Sequence, residues 1–97
     1  MSQPNTPSAC HVLVADDEPH IGRIIKMKLE QGPFRVTLAY DGREAMDVLS
    51  REPDIGLVLL DLMMPHLSGL DVLAAMRADA RWRDVPSAER AGTWTSR

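Results

Sequence analysis

Apolar and polar positions along this chain switch repeatedly between the two-residue period of a strand and the three-to-four-residue period of a helix. Residues 10–15, CHVLVA, make a near-continuous, β-branched run, as expected of a strand buried on both faces, β1. Pro19 suits a first helical turn, Ile21, Ile24, Ile25 and Leu29 recur at helical spacing, and Gly32-Pro33 supplies a stop, which predicts helix α1 between Pro19 and Gly32. In FRVTLA, 34–39, Phe34, Val36 and Leu38 alternate with Arg35 and Thr37, which predicts a strand β2 with one wetter face, at a sheet edge. Asp41 stands three residues before Glu44 in a capping arrangement, Ala45, Val48 and Leu49 form a stripe, and Pro53 closes this helix, α2. IGLVLL, 55–60, is a second fully apolar run and predicts a central strand β3. Ser68 with Asp71 forms a capping box opening a helix α3, with Leu70, Leu73 and Met76 on one side, that ends before Pro86.

Strand and helix alternating three times predict parallel strands joined by right-handed crossovers, a doubly wound α/β plan of flavodoxin-like order 2-1-3. In such sheets reactive groups gather beyond the carboxyl ends of the strands. Asp16 and Asp17 follow β1 and Asp61 follows β3, so neighbouring strands would deliver three carboxylates to one pocket. Their mutual repulsion is most simply relieved by a hard divalent cation. Mg²⁺ needs only one or two carboxylates and expects further ligands from water and phosphate, so the pattern suits phosphoryl transfer with a carboxylate nucleophile. Pro65 and Gly69 read as devices that hold the loop open and turn it into α3.

Composition narrows the classes of function. Ninety-seven residues make one domain at most, and 11 Lys+Arg against 14 Asp+Glu leave a net charge of −3 with no basic block, which speaks against direct nucleic-acid binding. The single cysteine, Cys10, has no internal partner, and no signal-peptide pattern opens the chain, so a reducing cytoplasm is expected. The longest apolar run falls far short of the ~20 residues that span a bilayer, so no membrane partner is expected. The methionines Met63, Met64 and Met76 read as packing residues. His11, His20 and His66 lack ligand spacing and read as ordinary polar residues. Cys10 reads as a small buried hydrophobe, and Arg77, Arg81 and Arg83 as the solvated end of α3. The first nine residues, MSQPNTPSA, read as a flexible tail.

The segments VLVADDEPHIGRIIKMKLE, AYDGREAMDVL and PDIGLVLLDLMMPHLSGLDVLAAMR resemble, in order and separation, the signatures of the receiver domains of two-component response regulators, over about residues 11 to 86. The resemblance implies that Asp61 is the phospho-acceptor, Asp17 a metal-binding acid, Asp16 an acid that helps position Mg²⁺ and its waters, and Met63 the donor of a backbone carbonyl to the metal. It implies a sensor histidine kinase or phosphotransfer protein as partner, and a phospho-accepting signalling domain rather than an enzyme. A phosphohydrolase resembling the haloacid dehalogenases also uses a nucleophilic Asp at a strand end, but that pattern wants a second acid where Met63 stands.

The pattern departs from that family after Pro86. Receivers continue into an apolar fourth strand ending on Ser or Thr, and later a fifth strand ending on Lys. Here SAERAGTWTSR follows, without apolar continuity, and no lysine occurs after Lys28. Thr93 and Ser96 close no apolar run, so the switch role is not carried to them. A frameshift, a recombination scar or a mispredicted gene end would leave such an ending. The expected organisation is therefore a flexible tail (1–9), a partial receiver (10–86) with an incomplete sheet, and an atypical tail (87–97). Two further expectations follow: a non-switching remnant or interaction fragment is an alternative function, and β3, left as an open apolar edge, should promote poor folding or self-association.

Overall fold

The computed structural model describes residues 10–90. The expected tail 1–9, Thr93 and Ser96 lie outside the described residues. The elements run β1 (Cys10–Ala15), α1 (Pro19–Glu30), β2 (Phe34–Ala39), α2 (Gly42–Arg51), β3 (Ile55–Asp61), α3 (Gly69–Ala78) and β4 (Ser87–Arg90). The four strands form one parallel sheet in the order β2-β1-β3-β4.

The fourth strand corrects the expectation that residues after Pro86 leave β3 bare. Val58 pairs with Ser87 and Asp61 with Arg90, and the Val58 amide donates to the Pro86 carbonyl at 3.0 Å. β3 is therefore interior and cannot offer the open edge on which self-association was expected. The physical reason is that strand pairing is made by backbone groups, which every non-proline residue carries, so SAER needs no apolar run to complete the ladder. Among the described residues the rims of the sheet are β2, as expected, and β4.

The helix starts follow their caps. The Asp41 side chain accepts from the Glu44 amide at 2.8 Å, and Ser68 and Asp71 form the full reciprocal box, with the Asp71 amide 3.2 Å from Ser68 Oγ and the Ser68 amide 3.2 Å from Asp71 Oδ2. Ala45, Val48 and Leu49 are buried as their spacing required. On α3 the buried positions are Val72 and Met76, while Leu70 is exposed. This helix stops at Ala78, so Arg81 and Arg83 lie beyond it rather than on its end. Asp79 there accepts from the Arg81 amide at 2.8 Å, and the following turn buries Trp82 against the core. Arg77 fastens that turn to β4 by donating to the carbonyls of Arg83 and Val85 and to Ser87 Oγ, at 2.9–3.0 Å.

The sheet separates two unequal cores. Leu13, Val58, Leu60, Val72 and Met76 lie in a closed cluster beneath α2 and α3. On the α1 side Val12, Val14 and Val36 are buried, but Ile25, Leu57 and Leu59 are only partly covered, and Ile24 and Met27 of α1 are exposed. His11, expected to be an ordinary polar residue, is buried. Its Nδ1 lies 2.9 Å from Asp54 and its Nε2 2.7 Å from Thr37 Oγ1. Because the carboxylate only accepts, Nδ1 donates to it, and a neutral ring then accepts the threonine hydroxyl at Nε2. The histidine thus ties β1 to β2 and to the entry of β3.

Candidate functional site

The register of the ladders assembles the site. Ala15 pairs with Leu60, so the residues that follow, Asp16 and Asp61, emerge side by side, and the Asp61–Arg90 pair adds the end of β4 to the same rim. Ligand oxygens of Asp16, Asp17 and Asp61 all lie within 4.8 Å of one another, as their sequence positions required. Asp16 and Asp61 are 2 % and 3 % exposed, whereas Asp17 is exposed to solvent. Met63 is beside them through its backbone, its amide donating to Asp61 Oδ1 at 3.0 Å. The Glu18 amide donates in the same way to Asp16 Oδ1 at 2.8 Å. Each buried carboxylate is thus fixed by an amide two residues further on.

The remaining oxygens meet a residue that no motif or spacing singles out. Arg90 donates through Nη2 and, at 3.2 Å, through Nε to Asp16 Oδ2, and through Nη2 to Asp61 Oδ2 at 3.3 Å. Arg90 is itself buried. Two of the clustered carboxylates therefore have a cation built into the fold, and among the described residues no buried side-chain polar atom lacks a partner.

The loop that follows is shaped by close approach more than by turn flexibility. A Cβ on Gly69 would stand 2.2 Å from the Asp61 carbonyl oxygen, so the start of α3 can press against the end of β3 only where a side chain is absent. The left-handed residue of the loop is His66, with φ 68°, and not a glycine.

Burial pushes the Asp61 carboxyl above the usual carboxylate range, the Met63 amide and Arg90 draw it down, and Asp16 and Asp17 push it up again. Relative to the unfolded chain, folding thus shifts this group toward its protonated form. Its contribution to stability is full below the ordinary carboxylate pKa and is lost as pH rises through the raised folded value. Asp61→Asn, which never ionises, is expected to be more stable than wild type at neutral pH and to lose that advantage below about pH 4. Urea midpoints at the two pH values test this. An advantage independent of pH would show that charge burial is not its source.

The family model of the response regulator receiver domain matches residues 12–87. Over 67 residues the chain is 42% identical to an uncharacterized transcriptional regulatory protein, YkoG, of Bacillus subtilis, covering 69% of this chain and 29% of that protein. It is 31% identical over 78 residues to the two-component response regulator ORR5 of Oryza sativa subsp. japonica, covering 80% of this chain and 58% of that one. Among solved structures, the receiver domain of Francisella response regulator 1452 superposes with a TM-score of 0.79 at 30% identity, covering 90% of this chain and 69% of that one. The chain belongs to the response regulator receiver domain family of two-component systems, with its flavodoxin-like fold. It spans well under two thirds of the two curated relatives.

Proposed function

We propose that the chain is a phospho-accepting signalling domain in which Asp61 takes a phosphoryl group from a phosphohistidine of a sensor kinase or phosphotransfer protein. The observation that carries this reading is the delivery of Asp61, by a buried strand, into contact range of Asp16 and Asp17. A carboxylate oxygen of Asp61 forms the new P–O bond while the P–N bond to the donor imidazole breaks, its electron pair staying on the nitrogen. The product is an acyl phosphate on this chain, so the domain itself is changed rather than turning over a substrate.

Mg²⁺ is the metal the family implies, and the donor set fits it: three carboxylates converge, with oxygens close enough to share one ion. Asp17 and Asp61 would hold it directly, Asp16 would position it and its waters, and the Met63 carbonyl would complete the protein's share. When bound, the ion supplies positive charge to the phosphoryl oxygens. The chain's own residues do the rest: the Met63 amide aims the Asp61 carboxylate, and the Glu18 amide holds Asp16 in place. Among the described residues no helix is long and apolar enough to cross a membrane.

The test is incorporation of label from acetyl phosphate or a phosphohistidine donor with Mg²⁺. Asp61→Asn is expected to abolish it, while Asp47→Asn, on the exposed side of α2, leaves it unchanged. Label persisting in the Asp61 variant would remove the assignment.

A further inference from the structure

The guanidinium of Arg90 occupies the place of a counter-cation, and its contacts are specific as to oxygen. On Asp16 and on Asp61, Oδ1 is taken by a backbone amide and Oδ2 by Arg90. A metal ion that used Oδ2 of either acid would therefore have to share that oxygen with the guanidinium. The stem of Arg90 is anchored as well, since it pairs with Asp61 in the ladder and its carbonyl accepts from the Leu62 amide at 2.8 Å. It therefore reaches the acids from a fixed base, and with Asp16 and Asp61 it is buried.

We propose that Arg90 is a tethered gate on the carboxylate cluster: its guanidinium and a divalent cation compete for the Oδ2 atoms of Asp16 and Asp61, so that metal enters only as Arg90 withdraws. The proposal rests on the reading of the cluster as a divalent-cation site. Magnesium binds oxygen at about 2.0–2.1 Å in a demanding octahedron, and a guanidinium hydrogen-bonded to the same oxygens both blocks that geometry and repels the ion. A gate of this kind sets the metal concentration at which Asp61 becomes accessible. It also ties that accessibility to the docking of β4, the strand that carries the arginine.

The experiment is a titration of the full chain with Mg²⁺ alone, followed by NMR at the Arg90 Nε–H and at the amides of Glu18 and Met63. Without metal the Arg90 Nε–H is expected to be protected from exchange. As Mg²⁺ is added it should lose that protection with the same midpoint at which the two amides shift. In Arg90→Ala the metal is expected to bind roughly 10–100-fold more tightly than in wild type, the scale of removing one cation from direct contact with a partly buried ion site. Asp17→Asn should weaken binding in both backgrounds. Amides that shift while the Arg90 Nε–H stays protected, or equal affinity with and without the arginine, would overturn the gate and leave the cation site standing. If neither protein, folded, responds to the metal, the cation site falls and the gate with it. Should Arg90→Ala not fold, the wild-type titration decides by itself.

Discussion

Truncating Leu60 to alanine is expected to remove about 3–5 kcal/mol of stability, a large part of the 5–15 kcal/mol that holds a typical domain. Leu60 is fully buried in the closed cluster beneath α2 and α3, and its neighbour Leu59 points to the thinner core under α1, where it is only partly covered. Leu59→Ala should therefore cost much less, about 1–2 kcal/mol, because part of its surface is already wet and the site can relax. Urea unfolding of the two variants gives the comparison directly. Equal losses would mean that the two faces of the sheet are equally packed, contrary to the burial of their residues.

The second large effect is expected at Asp16. Replacing it with alanine removes the carboxylate that accepts from both Nε and Nη2 of the buried Arg90, and the acceptor of the Glu18 amide. Breaking a buried pair in this way costs about 3–5 kcal/mol, whereas Asp17→Ala, at an exposed position of the same cluster, should change stability by less than about 0.5 kcal/mol. The contrast separates architecture from chemistry, because both substitutions should weaken binding of a divalent cation. If Asp17→Ala proves as damaging to folding as Asp16→Ala, the ion bridge to Arg90 is not what holds this end of the sheet.

Much of this was legible in the sequence because it was written in burial and in caps. β1 and β3 announce themselves as apolar runs that only an interior strand can use, and the Asp41 cap and the Ser68 box mark helix starts within a residue. The acids at the ends of those strands needed only the strand order to be brought together. What escaped was structure made by the backbone or by register. β4 is four residues long and three of its side chains are not buried, so nothing in its pattern separates it from a loop; its strand character is conferred by the unpaired edge of β3. Arg90 was invisible for a related reason, since a lone arginine acquires meaning only when the ladder sets it opposite Asp61. His11 gained its role from Thr37 and Asp54, which no local spacing connects to it. Leu70 misled because one apolar residue of a helix can face outward without cost to the fold, and Trp82 was passed over because it lies beyond the periodic segment of α3.

The bridge between Asp16 and Arg90 also has a meaning for the order in which the molecule forms. The two residues are 74 positions apart, so their contact closes a longer loop than any strand pairing within β1–α1–β2. The local unit can assemble early, but once β3 has paired with β1, Asp16 and Asp61 face one another uncompensated until β4 docks. In the folded chain Arg77 clips the preceding turn to Ser87 at the start of β4. Docking of β4 and neutralisation of Asp16 and Asp61 therefore coincide, and the same latch joins β1, inside the sheet, to β4, so that β4 does not fray without exposing the acids.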